Sequence, residues 1–302
     1  MGQWSLTKIL IAIGIVIIGV TVVVLSTTLI LLHPSNIPIV ITGAVPALVT
    51  TSNLTNCTVI YLTYKKEYYG TNSTFVVFDT QSGASLTIGD TAVPIHQLFV
   101  SQNNTLYGIG RGPQYPYGNG FGLYIVDPIT ASLTMLCETF VQYNKYHGLP
   151  RVAIDSSGTF WMQGNAPEML YILDPNTCSA TNASSGVFPA FTYGGIYNDT
   201  FYSGKTPEDL LYKQSLSPPY TVSLVGSIGI PVIYGLTSQL FPFCPAPGDV
   251  RLQMGWQYTE DFVNFTSIDI DTGSPIPGTQ FTVPLTNSQY SAWAFSSSCW
   301  CF

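Results

Sequence analysis

The stretch Leu123–Thr134, LYIVDPITASLT, returns 47 residues later as Leu170–Thr181, LYILDPNTCSAT, with eight of twelve positions identical. Each copy reads as an apolar strand ending in Asp, a polar turn and a second strand. Further copies occur at Phe75–Thr87 (FVVFDTQSGASLT) and Phe265–Ile276 (FTSIDIDTGSPI). A degenerate one, LLYKQSLSPPYTVSLV at Leu210–Val225, has lost the Asp. The landmark residues Asp79, Asp127, Asp174, Ser215 and Asp271 are spaced by 48, 47, 41 and 56. Aspartate at such a place accepts hydrogen bonds from backbone N–H groups about two residues on, so these carboxylates are expected to form turns rather than to catalyse.

A period near 48 residues is that of a propeller blade. Between the copies lies a second recurring unit, FVSQNNTLYGIG (Phe99–Gly110), AIDSSGTFWMQG (Ala153–Gly164) and TYGGIYNDTFYSG (Thr192–Gly204). Each supplies a strand, a polar turn and an aromatic strand closed by Gly, so each period holds four strands. The expected fold is therefore an all-β propeller of about five four-stranded blades, with six as the alternative, over residues 57–302. The first blade is one strand short, and YSAWAFSS (Tyr290–Ser297) near the C-terminus is one strand in excess. The C-terminal strand is expected to become the innermost strand of blade one and so remove the sheet edge between the termini. That closure would bring Cys299 or Cys301 beside Cys57 as a disulfide clasp. The pairing of Cys137, Cys178 and Cys244 stays open.

Composition agrees with an all-β chain. Only 8% of the 302 residues are charged, 13% are aromatic, and 27 Gly and 21 Pro suit many short strands joined by tight turns. The net charge is −7 and no run of Lys or Arg occurs, which excludes nucleic acid as a partner.

Residues 9–32 contain no charge. As a helix they would span about 36 Å, enough for the ~30 Å hydrocarbon core of a bilayer. A cleaved signal peptide would have a shorter apolar core and a small-residue cleavage site, whereas here HPSNIP follows. The reading is an uncleaved transmembrane signal-anchor. Lys8 precedes it and no Lys or Arg follows until Lys65, which puts residues 1–8 inside and the C-terminal bulk outside. Residues 33–56 read as a stalk. The start MGQWSLT lacks the Ser or Thr at position 6 that N-myristoylation wants. Seven N-x-[ST] sequons, at Asn53, Asn56, Asn72, Asn103, Asn182, Asn198 and Asn264, and all six cysteines follow the apolar segment, as expected of an outside location.

The long loops are expected on one face, around the central channel. They are Arg111–Gly122, Glu138–Arg151, Lys205–Leu210 and Gly255–Asn264. The candidate ligand-binding residues there are Arg111, Tyr115, Tyr117, Tyr146, His147, Arg151, Trp256, Tyr258 and Glu260. Aromatic rings beside polar and charged groups suit a glycan or a protein receptor. Glycoside hydrolysis needs two carboxylates roughly 5–9.5 Å apart. Glu138, Glu208, Asp209, Glu260 and Asp261 are the candidates, but no spacing singles out a pair, so a binding or structural role is favoured over an enzyme. DSSGTFW (Asp155–Trp161) resembles the Asp-box of sialidases but is one residue longer between Asp155 and Gly158 and has Ala153 where the leading Ser belongs. The segment from Asp269 starts like a calcium loop but has Gln280 where Glu is required. His33, His96 and His147 form no zinc spacing, so neither metal nor cofactor is expected.

The motif L-Y-h-h-D-P-x-T at Leu123–Thr130 and Leu170–Thr177 resembles propeller families of the quinoprotein-like and surface-layer type. That resemblance implies the fold and no particular function, because propellers serve many. The plan of tail, anchor, stalk and glycosylated propeller is similar to that of type II viral attachment glycoproteins and of microbial cell-envelope proteins. It implies a virion-envelope or cell-surface component, with neighbouring envelope or capsid proteins as further partners and a membrane-tethered glycoside hydrolase as the rival reading.

Overall fold

The computed structural model describes residues 58–65, 72–111, 121–139, 151–163, 169–183, 193–205, 209–230, 238–246, 248–259, 262–284 and 291–297. These residues form β-strands and turns, and no helix among them is long and apolar enough to cross a membrane. The expected anchor at 9–32, the stalk at 33–56 and the clasp cysteines Cys57, Cys299 and Cys301 lie outside the described residues.

Among the described residues, twenty strands make five four-stranded antiparallel sheets. The first contains β1 (Val59–Lys65), β2 (Thr74–Asp79) and β3 (Ser85–Asp90). Blade two is β4 (Ile95–Val100), β5 (Leu106–Arg111), β6 (Phe121–Val126) and β7 (Leu133–Thr139). Blade three is β8 (Arg151–Ile154), β9 (Phe160–Gln163), β10 (Leu170–Leu173) and β11 (Ala180–Asn182). Blade four is β12 (Tyr193–Tyr197), β13 (Thr200–Lys205), β14 (Leu210–Ser215) and β15 (Val222–Ser227). Blade five is β16 (Ser238–Ala246), β17 (Asp249–Thr259), β18 (Phe262–Ile268) and β19 (Phe281–Pro284). The last strand, β20 (Ser291–Ser297), returns to blade one and pairs with β1 from Ile60↔Ser297 to Lys65↔Ser291. The innermost strands β20, β4, β8, β12 and β16 each touch the next, and the ring closes between β16 and β20.

Blades pack face to face, and each of the five interfaces holds one apolar cluster. Along β1, Ile60, Leu62 and Tyr64 point to Phe241, Phe243 and Phe265 of blade five. The alternate residues Val59 and Tyr61 point to Ile95 and Leu98 of blade two. Both faces of a blade are thus dry, and all six residues of β2 are buried. A strand buried on both faces reads as a continuous apolar run, which is why FVVF shows no alternation.

The Asp turns recur almost atom for atom. Oδ1 of Asp79, Asp127 and Asp174 accepts the N–H two residues on at 3.0, 2.8 and 2.9 Å. Oδ2 accepts the hydroxyl three residues on, from Ser82, Thr130 and Thr177. The N–H four residues on donates to the landmark carbonyl, and that residue has positive φ: Gly83, Ala131 and Cys178. In the fifth blade the role falls to Asp269, not to Asp271. Asp269 Oδ1 accepts the N–H groups of Asp271 and Thr272, and Gly273 takes the positive φ. Asp271 is a donor inside the turn; two aspartates two apart made the register ambiguous in the sequence. The degenerate copy keeps the device with a shorter acceptor, since Ser217 N–H donates to Ser215 Oγ at 3.1 Å.

A second repeat appears only in three dimensions. Each of β3, β7 and β15 carries a bulge against its inner neighbour, and the residue after the bulge is Gly89, Cys137 or Gly226. Gly89 lies against Thr130 and Ala131 of the next blade's Asp turn, and Gly226 against Thr272 and Gly273. At the same place between blades two and three, Cys137 is disulfide-bonded to Cys178, with Cα atoms 5.5 Å apart. The bulge aims this one position at the neighbouring turn, and the chain uses close contact at two joints and a covalent bond at the third. Cys244 is also disulfide-bonded.

Candidate functional site

Because successive strands reverse direction, the first-to-second and third-to-fourth turns of every blade share one end of the propeller. The second-to-third and blade-to-blade connections share the other. The first end holds the five landmark turns and the tight hairpins 101–105, 155–159 and 198–199. Both chain ends of the ring also lie there: Thr58 accepts the Thr80 N–H, and Ser297 is opposite Ile60. At the second end lie the strand ends Arg111, Phe121, Thr139, Arg151, Tyr193, Ser238, Pro284 and Ser291; the connecting segments between them lie outside the described residues.

At that long-loop end, Arg111 closes β5 and Arg151 opens β8, both half-buried. Arg111 is pinned through its backbone. The Tyr124 hydroxyl donates to the Arg111 carbonyl at 2.8 Å, and the Arg111 N–H donates to Pro94. Burial, then the nearby Glu138 charge, pushes the Tyr124 phenol up to about 12, so it remains a donor. The ring fits because its neighbours are glycines: a Cβ at Gly122 would overlap it, and one at Gly110 would crowd it. Tyr193 uses the same device over Gly204 in blade four.

Tyr115, Tyr117, Tyr146, His147 and Glu260 lie outside the described residues. The segment 255–264, expected as a loop, is mostly strand. Trp256 sits inside β17, opposite Ser238 and Asn264, and packs against the cluster between blades four and five. The alternating apolar pattern QMGWQ, buried on both faces, extends the strand past the point where its aromatic and polar residues suggest a loop. Tyr258 lies on the same strand. Lys205 and Leu210 likewise belong to β13 and β14, leaving 206–209 as the connection.

The channel itself is plugged. Gln97 of β4 reaches β8, donating from Nε2 to the Val152 carbonyl and accepting the Val152 N–H, both at 2.8 Å. Gln239 of β16 crosses to β4 and donates to the Leu98 carbonyl at 2.8 Å. These carboxamides replace the backbone pairing that inner strands of separate sheets cannot make, and so satisfy buried groups that would otherwise be orphaned. A cavity of about 30 Å³ remains, bounded by Gln97, Val152, Ile196, Gln239 and Ser296 among others. That is room for a water molecule and too little for a sugar ring. A signal for these glutamines was present: the tripeptide Gln-Leu-Phe occurs at 97–99 and again at 239–241 on equivalent inner strands.

The Asp-box-like turn is structural. Asp155 accepts the N–H groups of Ser157 and Thr159, both at 2.9 Å, and the buried Trp161 indole N–H at 2.8 Å. Ser156 N–H then donates to Asp199 of the next blade. The short-turn end therefore gathers Asp79, Asp127, Asp155, Asp174, Asp199, Asp249, Asp269 and Asp271, each inside or beside a turn. No group of three or more metal-ligating side chains occurs among the described residues.

No family model and no curated protein matches the sequence. Solved structures do. The chain is similar to one in the crystal structure of a nidogen/laminin complex, at 8% identity and TM-score 0.46, covering 78% of this chain and 97% of that one. It is similar to TolB from Acinetobacter baumannii at 8% identity and TM-score 0.44, covering 78% and 66%. It is similar to a periplasmic gluconolactonase from Pseudomonas aeruginosa at 14% identity and TM-score 0.37, covering 76% and 69%.

Proposed function

We propose that the protein is a membrane-anchored surface module whose propeller binds a glycan or a protein receptor through its long-loop end. In this reading residues 9–32 anchor the chain in a virion envelope or cell-surface membrane and 33–56 tether the propeller. The observation that supports it is the division of labour between the two ends. The hydrogen-bonded landmark turns, Thr58 and Ser297 lie at one end, while the strand ends that carry Arg111 and Arg151 open at the other. Loops carried on a rigid scaffold suit recognition. The plugged channel leaves the end surface, rather than the ring centre, for a ligand.

The test uses the full-length chain in detergent micelles, on a glycan array and in a polysaccharide hydrolysis assay. Retention without turnover, lost in Arg111→Ala or Arg151→Ala while the circular dichroism spectrum is kept, supports the reading. Turnover abolished by Glu138→Gln or Glu260→Gln makes the protein a hydrolase. Neither retention nor turnover leaves a structural envelope component that contacts neighbouring envelope or capsid proteins.

A further inference from the structure

We infer that the short-turn end is a carbohydrate-bearing face, with N-linked glycans on Asn103 and Asn198, and that the sequon at Asn264 is not an acceptor. This rests on the reading that the propeller lies outside the membrane.

Five of the seven sequons fall on described residues, and their surroundings differ. Asn103 is exposed in the hairpin between β4 and β5. Its Oδ1 accepts both the Ser101 hydroxyl and the Thr105 N–H, so the side chain is held by its oxygen. Asn198 and Asp199 form the two-residue hairpin between β12 and β13, with φ of 46° and 49°. Asparagine tolerates that left-handed conformation better than most residues and is favoured in such turns. The Thr200 hydroxyl of the same sequon donates to the Asn198 carbonyl. Asp199 is held by Ser156 of blade three, so the hairpin is fixed and Asn198 is its outer corner. The two asparagines occupy equivalent first-to-second strand turns in blades two and four, beside the channel.

Asn264 is placed oppositely. It is in β18, paired on one side with Trp256 and on the other with Thr282. Its neighbours Val263 and Phe265 point to blade one, so by alternation Asn264 faces blade four, where Trp256 packs. Asn264 is half-buried beside Trp256 and its strand is paired on both sides, so it lacks the exposed turn on which Asn103 and Asn198 sit. Asn72 and Asn182 stand between these cases, their Nδ2 groups already donating to Asp90 and to the Met169 sulfur.

The modification joins Nδ2 to the anomeric carbon of an oligosaccharide carried on a polyprenyl diphosphate. The bond from that carbon to the diphosphate oxygen breaks, the lipid diphosphate leaves, and Nδ2 gives up one proton. Glycans at both hairpins would clothe the end where the chain enters and leaves the ring. At the long-loop end the described sequons are Asn72 and Asn182, whose Nδ2 groups are already engaged by Asp90 and Met169.

The full-length chain is produced in a eukaryotic secretory host, deglycosylated enzymatically in heavy-oxygen water, and mapped by peptide mass spectrometry. Conversion of Asn103 and Asn198 to labelled Asp, with Asn264 unconverted, is expected. Asn103→Gln and Asn198→Gln each then remove one glycan step in gel mobility, and Thr105→Ser keeps it. Conversion of Asn264, or modification of other sequons while Asn103 and Asn198 stay bare, overturns the inference alone. Absence of modification at every sequon overturns the outside location itself.

Discussion

The carboxylate of Asp127 shows how one residue sets a turn. Burial alone would raise its pKa, but the Ile129 N–H and the Thr130 hydroxyl and N–H outweigh burial and hold it below the usual carboxylate range. Asp174, held by the Asn176 N–H and the Thr177 hydroxyl, and Asp269, held by the Asp271 and Thr272 N–H groups, shift the same way. A folded-state pKa below the unfolded one contributes stability that is fully present above the unfolded value of about 4 and is lost as pH falls through the folded value. The triple variant Asp127→Asn/Asp174→Asn/Asp269→Asn should lower the urea midpoint at about pH 7 and lose less of it than the parent on going to about pH 3. In blade five, Asp269→Ala should lower Tm more than Asp271→Ala; an equal effect would contradict the reassigned turn. The motif told that an Asp was needed, but only the hydrogen bonds told which of two.

At the scale of elements, three outer strands use a bulge to aim one residue at the neighbouring turn. A Cβ on Gly226 would collide with the Thr272 carbonyl, whereas one on Gly89 would meet its nearest atoms at an ordinary 3.8 Å. Gly226→Ala should therefore cost about 1–3 kcal/mol in denaturant unfolding, as overpacking does, and Gly89→Ala little. Cys137 and Cys178 close a loop across the equivalent joint. The double variant Cys137→Gly/Cys178→Ala rebuilds the Gly and Ala pair of the first joint. It should keep the β-sheet circular dichroism spectrum and lose about 2–4 kcal/mol of stability. This equivalence was hidden in the sequence because a glycine and a cysteine share no chemistry; only their place after a bulge makes them the same.

For the whole molecule, the ring has no hydrogen-bonded sheet running through it, so side chains must join what backbones cannot. Gln97 does so between blades two and three, and the Tyr197 hydroxyl, donating to Val250 at 2.9 Å, does so between blades four and five. Gln97→Leu preserves the volume but strands the Val152 N–H and carbonyl in a dry channel. It should cost about 1–3 kcal/mol for each group left without a partner, read as a shift in the unfolding midpoint with unchanged slope.

The period of the repeat, the strand left over near the C-terminus and the strand missing from blade one were local patterns, and they were enough to give five blades and their closure. They were legible because each blade repeats the same turn chemistry, and turns are decided by residues a few positions apart. What the tertiary structure alone decided depends on groups far apart in the chain. It made Gly255–Thr259 a strand paired on both sides, took Trp256 out of the loop set, and joined Cys137 to Cys178. It also filled the channel with Gln97 and Gln239 and set Asn103 and Asn198 at one end with Asn264 between blades. Each of these follows from which residues of different blades meet when the ring closes, and that meeting is set by packing across the ring, which no single period of the sequence contains.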